Sequence, residues 1–251
     1  MTELPEEQPP QDQPGRLQPA DESWERALVV LAHPDDMEYG GAAAVARWTR
    51  QGRHVVYCLV TSGEAGIDGL EPERCGPLRE QEQRTACALV GVEDVEFLRL
   101  PDGVLEYGVR LREAIAGAVR RHRPEIVLTI NFRDTWDGAR ALNQADHVAV
   151  GRATLDAVRD AGNRWVFRSQ DLPPWSGVRQ VWAAASPRSE VGVDVTEDFD
   201  AGVASLRAHA AYLEGLGRPD FDPEEFLESI ARPVGTALGC RYGVAFEVFD
   251  V

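Results

Sequence analysis

The sequence predicts an α/β fold, Rossmann-like, with a mostly parallel sheet covered by helices on both faces. Three observations carry that expectation. Short, continuous apolar runs recur along the chain, and between them lie stretches with helical spacing. The apolar runs do not alternate with polar residues, as they would if one face of the sheet met water. No internal repeat or second composition regime interrupts the pattern, so one domain of residues 25–251 is expected.

The elements follow in order. Residues 27–32 read as a buried strand, followed by a turn and a helix over about 41–51. Residues 54–61 (HVVYCLVT) form a second strand, closed by the loop SGEAGIDG. A helix is expected over 78–90, with Ala86, Leu89 and Val90 on one stripe. Then come a strand at 95–98, a helix at 109–121, a strand at 125–130 and a helix at 146–161. A strand at 178–185, a helix at 196–213 and a closing strand at 242–248 complete the series. Residues 197–228 hold nine acids against two Arg and read as a solvated helical face and loop. Residues 1–24 hold five Pro, four Gln and six acids against one Arg, with almost nothing apolar, and read as a disordered tail.

The whole chain of 251 residues carries 42 acids against 26 basic residues, every one of them Arg, for a net charge of −16. Such a surface repels phosphate backbones, and no basic stripe offsets it, so nucleic acid is not an expected partner. No apolar run approaches the roughly 20 residues that span a bilayer, and residues 1–14 lack the marks of a secretory signal. Integral membrane association is not expected. Cys58, Cys75, Cys87 and Cys240 are scattered, with no Cys-x-x-Cys pair, and read as reduced thiols in a cytoplasmic protein. Nothing bears on oligomeric state, and a homo-oligomer stays open.

In a doubly wound sheet, ligands gather beyond the carboxyl ends of the strands. That directs attention to residues 32–41, 62–69, 101–103 and 131–147. The first of these contains His33-Pro34-Asp35-Asp36-Met37-Glu38. A His and three carboxylates behind a buried strand need charge compensation, which a divalent cation supplies most directly. His33 and Asp36 are spaced to face one ion; the alternative is that His33 and Asp35 merely cap the following helix. Asp146-His147 opens a later helix, where Asp146 could serve as a simple N-cap. Both clusters nevertheless end strands of one sheet and share its rim. Two His and one carboxylate leave open positions for water and substrate, and Asp35, beside the ligands, would be free as a general base.

The segment AHPDDME followed by Gly-Gly, the TSGEAG loop, Arg79-Glu80-x-Glu82, Leu100-Pro101-Asp102-Gly103 and Asp146-His147-x-Ala149-Val150 together resemble the LmbE-like family. That family includes N-acetylglucosaminyl-phosphatidylinositol de-N-acetylases (PIG-L) and the amidases and deacetylases of low-molecular-weight thiol metabolism. The likeness covers roughly residues 26–250. It implies a Zn²⁺-dependent deacetylase, with Fe²⁺ as another candidate metal, acting on an N-acyl amino sugar or a related small amide. It also implies metal ligands at His33, Asp36 and His147, and a general base at Asp35. Arg79 and Asp102 match positions that hold sugar hydroxyls, and Glu64 matches a polar position near the site.

Two residues depart from the pattern. Many members carry His where this chain has Gln144, and thiol-pathway members often carry Tyr where it has Leu142. Gln144 can donate a hydrogen bond to an oxyanion but cannot shuttle a proton, which places more acid–base work on Asp35. Asp146 is expected to orient a neighbouring group. Three other functions draw on some of the same residues. A non-haem iron oxygenase would use the same two-His-one-carboxylate set, but on an all-β jelly roll. A dinucleotide module would need a Gly-rich first turn where this chain has HPDDMEYGG. The last is a metal-binding member with impaired catalysis. Trp136, in the loop before Asn143, is a candidate to line a sugar cleft or else to anchor its own turn.

Overall fold

Residues 27–31 send alternate side chains into two separate cores. The computed structural model describes residues 17–136 and 138–251. Strand β2 (Arg26–Leu31) follows a two-residue strand β1 (Gln18–Pro19), and β3 (His54–Leu59) pairs with β2 in parallel. Ala27, Val29 and Leu31 join Val55, Tyr57 and Leu59 in one core, while Leu28, Val30, Val56 and Cys58 enter the other. A sheet buried on both faces explains why these strands read as unbroken apolar runs.

The remaining elements are α1 (Ala42–Arg50), α2 (Pro72–Leu89), β4 (Asp94–Phe97), α3 (Val109–His122), β5 (Ile126–Ile130) and α4 (Ala145–Gly162). After them come β6 (Gln180–Ala184), β7 (Val191–Asp194), α5 (Phe199–Arg207), α6 (Ala210–Gly215), α7 (Pro223–Leu238) and β8 (Gly243–Asp250). The sheet runs β1-β7-β8-β6-β5-β2-β3-β4. All pairings are parallel except those of β8 with β6 and β7. Helices α3 and α4 cover one face, and α1, α5 and α7 the other. The fold is a single-domain α/β structure, as expected, and has no jelly-roll scaffold. No helix among the described residues is long and apolar enough to cross a membrane.

The structure departs from the sequence reading in five places. Of the tail expected over 1–24, residues 1–16 lie outside the described residues, whereas Gln18–Pro19 pairs with β7 and Trp24 is buried against Trp48. Helix α2 starts at Pro72, six residues earlier than expected, because Pro72 occupies the first helical position and Pro77 sits within the helix instead of starting it. The helix expected over 196–213 is broken into α5 and α6 at His209, which turns inward and is fully buried. The acidic stretch contains a true helix, α7. Asp222 caps it by accepting from the Glu224 and Glu225 N–H groups, and Leu227 and Ala231 enter the core. Strand β7, four residues long, was not anticipated. Cys58, Cys75 and Cys87 are buried free thiols and Cys240 is half-buried.

Strands β2, β3 and β4 proceed toward one edge, and β5 then returns to the other side of β2. The order reverses between β2 and β5, and the crevice at such a reversal is where this architecture binds ligands.

Candidate metal centre and its cavity

The turn after β2 and the loop after β5 meet at that crevice. His33 Nδ1 lies 3.1 Å from His147 Nε2. Asp36 Oδ1 lies 3.0 Å from the same His147 nitrogen and 3.6 Å from His33 Nδ1. All three residues are buried. Ligand atoms about 2.0–2.1 Å from a tetrahedral ion stand roughly 3.4 Å apart, so this triangle has the dimensions of three of its corners.

The outer nitrogens of both imidazoles are fixed by acceptors, which sets the tautomer that aims a lone pair inward. Asn143 donates through Nδ2 to the carbonyls of Asn131 and Arg133. Its Oδ1 therefore faces His147 Nδ1, at 2.9 Å. His33 Nε2 lies 3.1 Å from Asp102 Oδ1 and 3.3 Å from Asp146 Oδ2. Asp146 also accepts from the Gly103 and Leu105 N–H groups, and Asp102 from the Ala65 N–H. These loops thereby lock around one histidine.

The charges around the triangle favour positive charge at its centre. Burial works against a charged His33, yet Asp36 and the bonds to Asp102, Asp146 and Asp36 push its pKa up to about 12. Burial likewise opposes ionised Asp36, but His147 and His33 hold its carboxyl far below the ordinary range. Two imidazoles and a carboxylate at these spacings, among further carboxylates, fit a divalent ion.

Asp35 stands next to the triangle with a backbone φ of 81°, a left-handed conformation costly for a residue other than Gly. The Asp35 N–H donates to Gln83 Oε1 at 2.8 Å, and Arg79 Nη2 donates to Asp35 Oδ2 at 2.9 Å. Burial raises the Asp35 pKa well above the usual carboxylate range; Arg79 opposes the rise, while Asp36 and Glu38 add to it.

Arg79, which the resemblance matches to a sugar-holding position, lines the cavity but is itself largely engaged by the protein. It is 2% exposed, and it donates to the carbonyls of Gly63 and Pro34 as well as to Asp35. Tyr212 lies against its guanidinium at 4.1 Å. Gly63 and Gly66 make room for it, since a Cβ on either would come within 2.3 Å of Arg79 Nη1. Asp102 is likewise engaged by His33 and Ala65, and Glu64 accepts from the Asp102 N–H. Gln144 sits exposed at the N-cap of α4 with its side chain unused as a cap, and it lines the cavity. Trp136 also lines it, edge-on to His147 at 5.5 Å. Leu142 is 80% exposed and lies outside the lining.

Sequence reasoning assigned no role to Asn143, Gln83, Glu38 or Tyr212. Spacing could have flagged two of them, because Asn143 precedes His147 by four residues and Gln83 follows Arg79 by four. Glu38 is fully buried, accepts from Gln83 Nε2 at 2.9 Å, and is raised by burial to about 7. His209 Nε2 stands 4.0 Å from Glu38 Oε2.

The whole site opens into one cavity of about 1130 Å³. Its polar end holds His33, Asp35, Asp36 and His147; its far side is formed by Tyr39, Phe226 and Ile230, among others.

Comparison with known proteins bears on this geometry. A family model described as PIG-L, GlcNAc-PI de-N-acetylase, matches residues 28–158. Diacetylchitobiose deacetylase of Thermococcus kodakarensis is 27% identical over 228 residues, covering 88% of this chain and 82% of that protein. The 1D-myo-inositol 2-acetamido-2-deoxy-alpha-D-glucopyranoside deacetylase of Kineococcus radiotolerans is 28% identical over 243 residues. That match takes in 84% of this chain and 62% of the relative's length. Among solved structures, N,N'-diacetylchitobiose deacetylase from Pyrococcus horikoshii, in complex with an inhibitor, superposes with a TM-score of 0.81 at 21% identity. It covers 91% of this chain and 85% of that one, a likeness of fold.

Proposed function

The chain belongs to the PIG-L (GlcNAc-PI de-N-acetylase) family, and on that premise we propose that it is a zinc-dependent hydrolase removing an acyl group, acetyl in the simplest case, from an N-acylated amino sugar or a related small amide. The observation that carries the reading is the convergence of His33, Asp36 and His147 on one triangle beside a buried, left-handed Asp35. His33, Asp36 and His147 would hold the ion, with Asn143, Asp102 and Asp146 fixing the imidazoles. When bound, the ion supplies positive charge that acidifies water and polarises an acyl oxygen.

The chain's own groups do the rest. Arg79 holds Asp35 Oδ2, which leaves Oδ1 to take a proton from the attacking water and return it to the departing amine. Gln144, at the start of α4 and in the cavity lining, would donate to the oxyanion, and Trp136, edge-on to His147, would line the substrate side of the cleft. The ion-pair network under Asp35 keeps it oriented through the cycle.

The test couples elemental analysis of the purified protein to an amine-release screen over N-acetylglucosamine conjugates. Near-stoichiometric zinc with chelator-sensitive amine release is expected. A protein that binds no divalent ion, or that gains activity only with ferrous iron and 2-oxoglutarate, would overturn the proposal.

A further inference from the structure

Among the described residues, Asp35 is gripped at every polar group except the one that the reaction uses. Its carbonyl accepts from the Glu38 and Tyr39 N–H groups at 2.9 and 3.2 Å, and Arg79 holds Oδ2. Its N–H has one acceptor there, Gln83 Oε1 at 2.8 Å. Oδ1 is left for the proton transfer. Gln83 lies one residue beyond the Arg79-Glu80-x-Glu82 segment that resembles the family, and it has no part in the hydrolysis described above.

Arg79 and Gln83 stand four residues apart on α2, so both project from one face of that helix. Arg79 reaches the carboxylate of Asp35, and Gln83 reaches its main chain. Together the two contacts fix the side chain and the peptide plane of one residue. The second contact matters because Asp35 has a φ of 81°, which residues other than Gly seldom keep without outside support. Rotation of this backbone into a commoner region would strand a buried N–H and carry Oδ1 away from the metal-ligand triangle.

What fixes Gln83 is equally specific. A Gln amide can be turned end for end, offering either its oxygen or its nitrogen to Asp35. Gln83 Nε2 donates to Glu38 Oε1 at 2.9 Å and lies 3.4 Å from Cys87 Sγ. Ser205 Oγ, on α5, stands 3.5 Å from the same Glu38 oxygen. The amide oxygen is thereby turned toward the Asp35 N–H. Gln83, Glu38 and Ser205 are fully buried, so bulk water does not replace these bonds.

We propose that Gln83, oriented by Glu38, is a positioning residue for Asp35, holding the left-handed backbone that presents Oδ1 to the reacting water. The inference rests on the hydrolase reading above and adds to it a second grip from α2. Displacing a reacting group by about 1 Å costs on the order of 10²-fold in rate. Loss of a contact that matters only in the transition state lowers kcat and leaves KM in place.

Gln83→Met keeps the length of the side chain and removes the acceptor. It should lower kcat about 10²-fold, with KM and metal content within about threefold of wild type. In the Asp35→Asn background the same substitution should cost less than about threefold, because the base it positions is already gone. Gln83→Glu retains an acceptor for the Asp35 N–H but sets two carboxylates against each other, and adding Glu38→Gln restores a donor between them. The combined variant should recover at least about tenfold in kcat over Gln83→Glu alone, and it decides the matter if Gln83→Met folds poorly. A kcat within about threefold of wild type in Gln83→Met, an equal loss in both Asp35 backgrounds, or no recovery in the combined variant overturns the proposal. Absence of hydrolysis by the wild-type protein overturns the hydrolase reading instead. Amide hydrogen exchange then judges the grip without any substrate. Exchange at the Asp35 N–H that is at least about tenfold faster in Gln83→Met, with the β2 amides unchanged, supports it. Equal rates, or a rise shared by the β2 amides, refute it.

Discussion

Replacing Asp35 with Asn separates chemistry from architecture at this site. Asn tolerates the left-handed backbone, so the φ of 81° and the N–H bond to Gln83 are kept. The amide oxygen still accepts from Arg79 Nη2, and what is lost is the difference between a charge-assisted and a neutral hydrogen bond, about 1 kcal/mol. Arg79 is not stranded, because the carbonyls of Pro34 and Gly63 and the face of Tyr212 remain. Stability should therefore change little. Removal of a general base lowers turnover about 10²–10⁴-fold, or roughly 3–5 kcal/mol of barrier. Amine release, melting temperature and metal stoichiometry should be measured on the same preparations. The expected result is near-native melting, full metal content and a turnover lower by at least two orders of magnitude. Asp35→Ala adds the left-handed penalty of about 1–2 kcal/mol and should melt lower with the same loss of turnover. Activity within tenfold of wild type in Asp35→Asn would refute the base assignment, and loss of the metal would recast Asp35 as a ligand.

Three further outcomes follow from the same network. Asn143→Ala frees His147 Nδ1 and should weaken metal affinity about 10–100-fold in chelator competition, with the fold retained by circular dichroism. Gly63→Ala puts a methyl group 2.2 Å from Arg79 Nη1 at a φ of 64°; it should lower stability by at least about 1–2 kcal/mol in urea and reduce turnover by displacing Arg79 from Asp35. His209 is held by burial, and secondarily by Arg79, at a pKa of about 3. The unfolded chain takes up that proton near pH 6.5 and the native protein refuses it, so His209's contribution is present above 6.5 and is lost as pH falls toward 3. Urea unfolding with chelator present should show wild type losing about 3 kcal/mol more than His209→Leu between pH 7 and 4.5.

The central strands and the metal-ligand candidates were legible because both announce themselves locally. A strand buried on two faces is a continuous apolar run, and carboxylates placed directly behind one need a counter-charge. The parts that were missed depend on distant chain. Helix α7 keeps an apolar stripe through Phe226, Leu227, Ile230, Ala231 and Val234, but its acids and the internal Pro233 masked the periodicity. Strand β7 has four residues and exists through its pairing with β8 and β1. Gln18–Pro19 becomes a strand only because β7 offers an edge. The burial of Arg79 is not legible until Gly63 and Gly66, sixteen and thirteen residues earlier, are seen to leave space for it.

The two arms of the metal-ligand triangle are 111 to 114 residues apart in the chain. An unfolded polypeptide cannot hold them at 3 Å, so an ion recognised by the triangle binds the native state alone. Its concentration then acts as a thermodynamic lever on the whole molecule, worth RT ln(1 + [M]/Kd), or about 4 kcal/mol at a thousandfold excess over Kd. The reversal of strand order between β2 and β5 would thus couple the supply of such an ion to the lifetime of the fold. In a cell starved of the ion, the amount of this protein would fall along with its activity, through unfolding and turnover of the ion-free form.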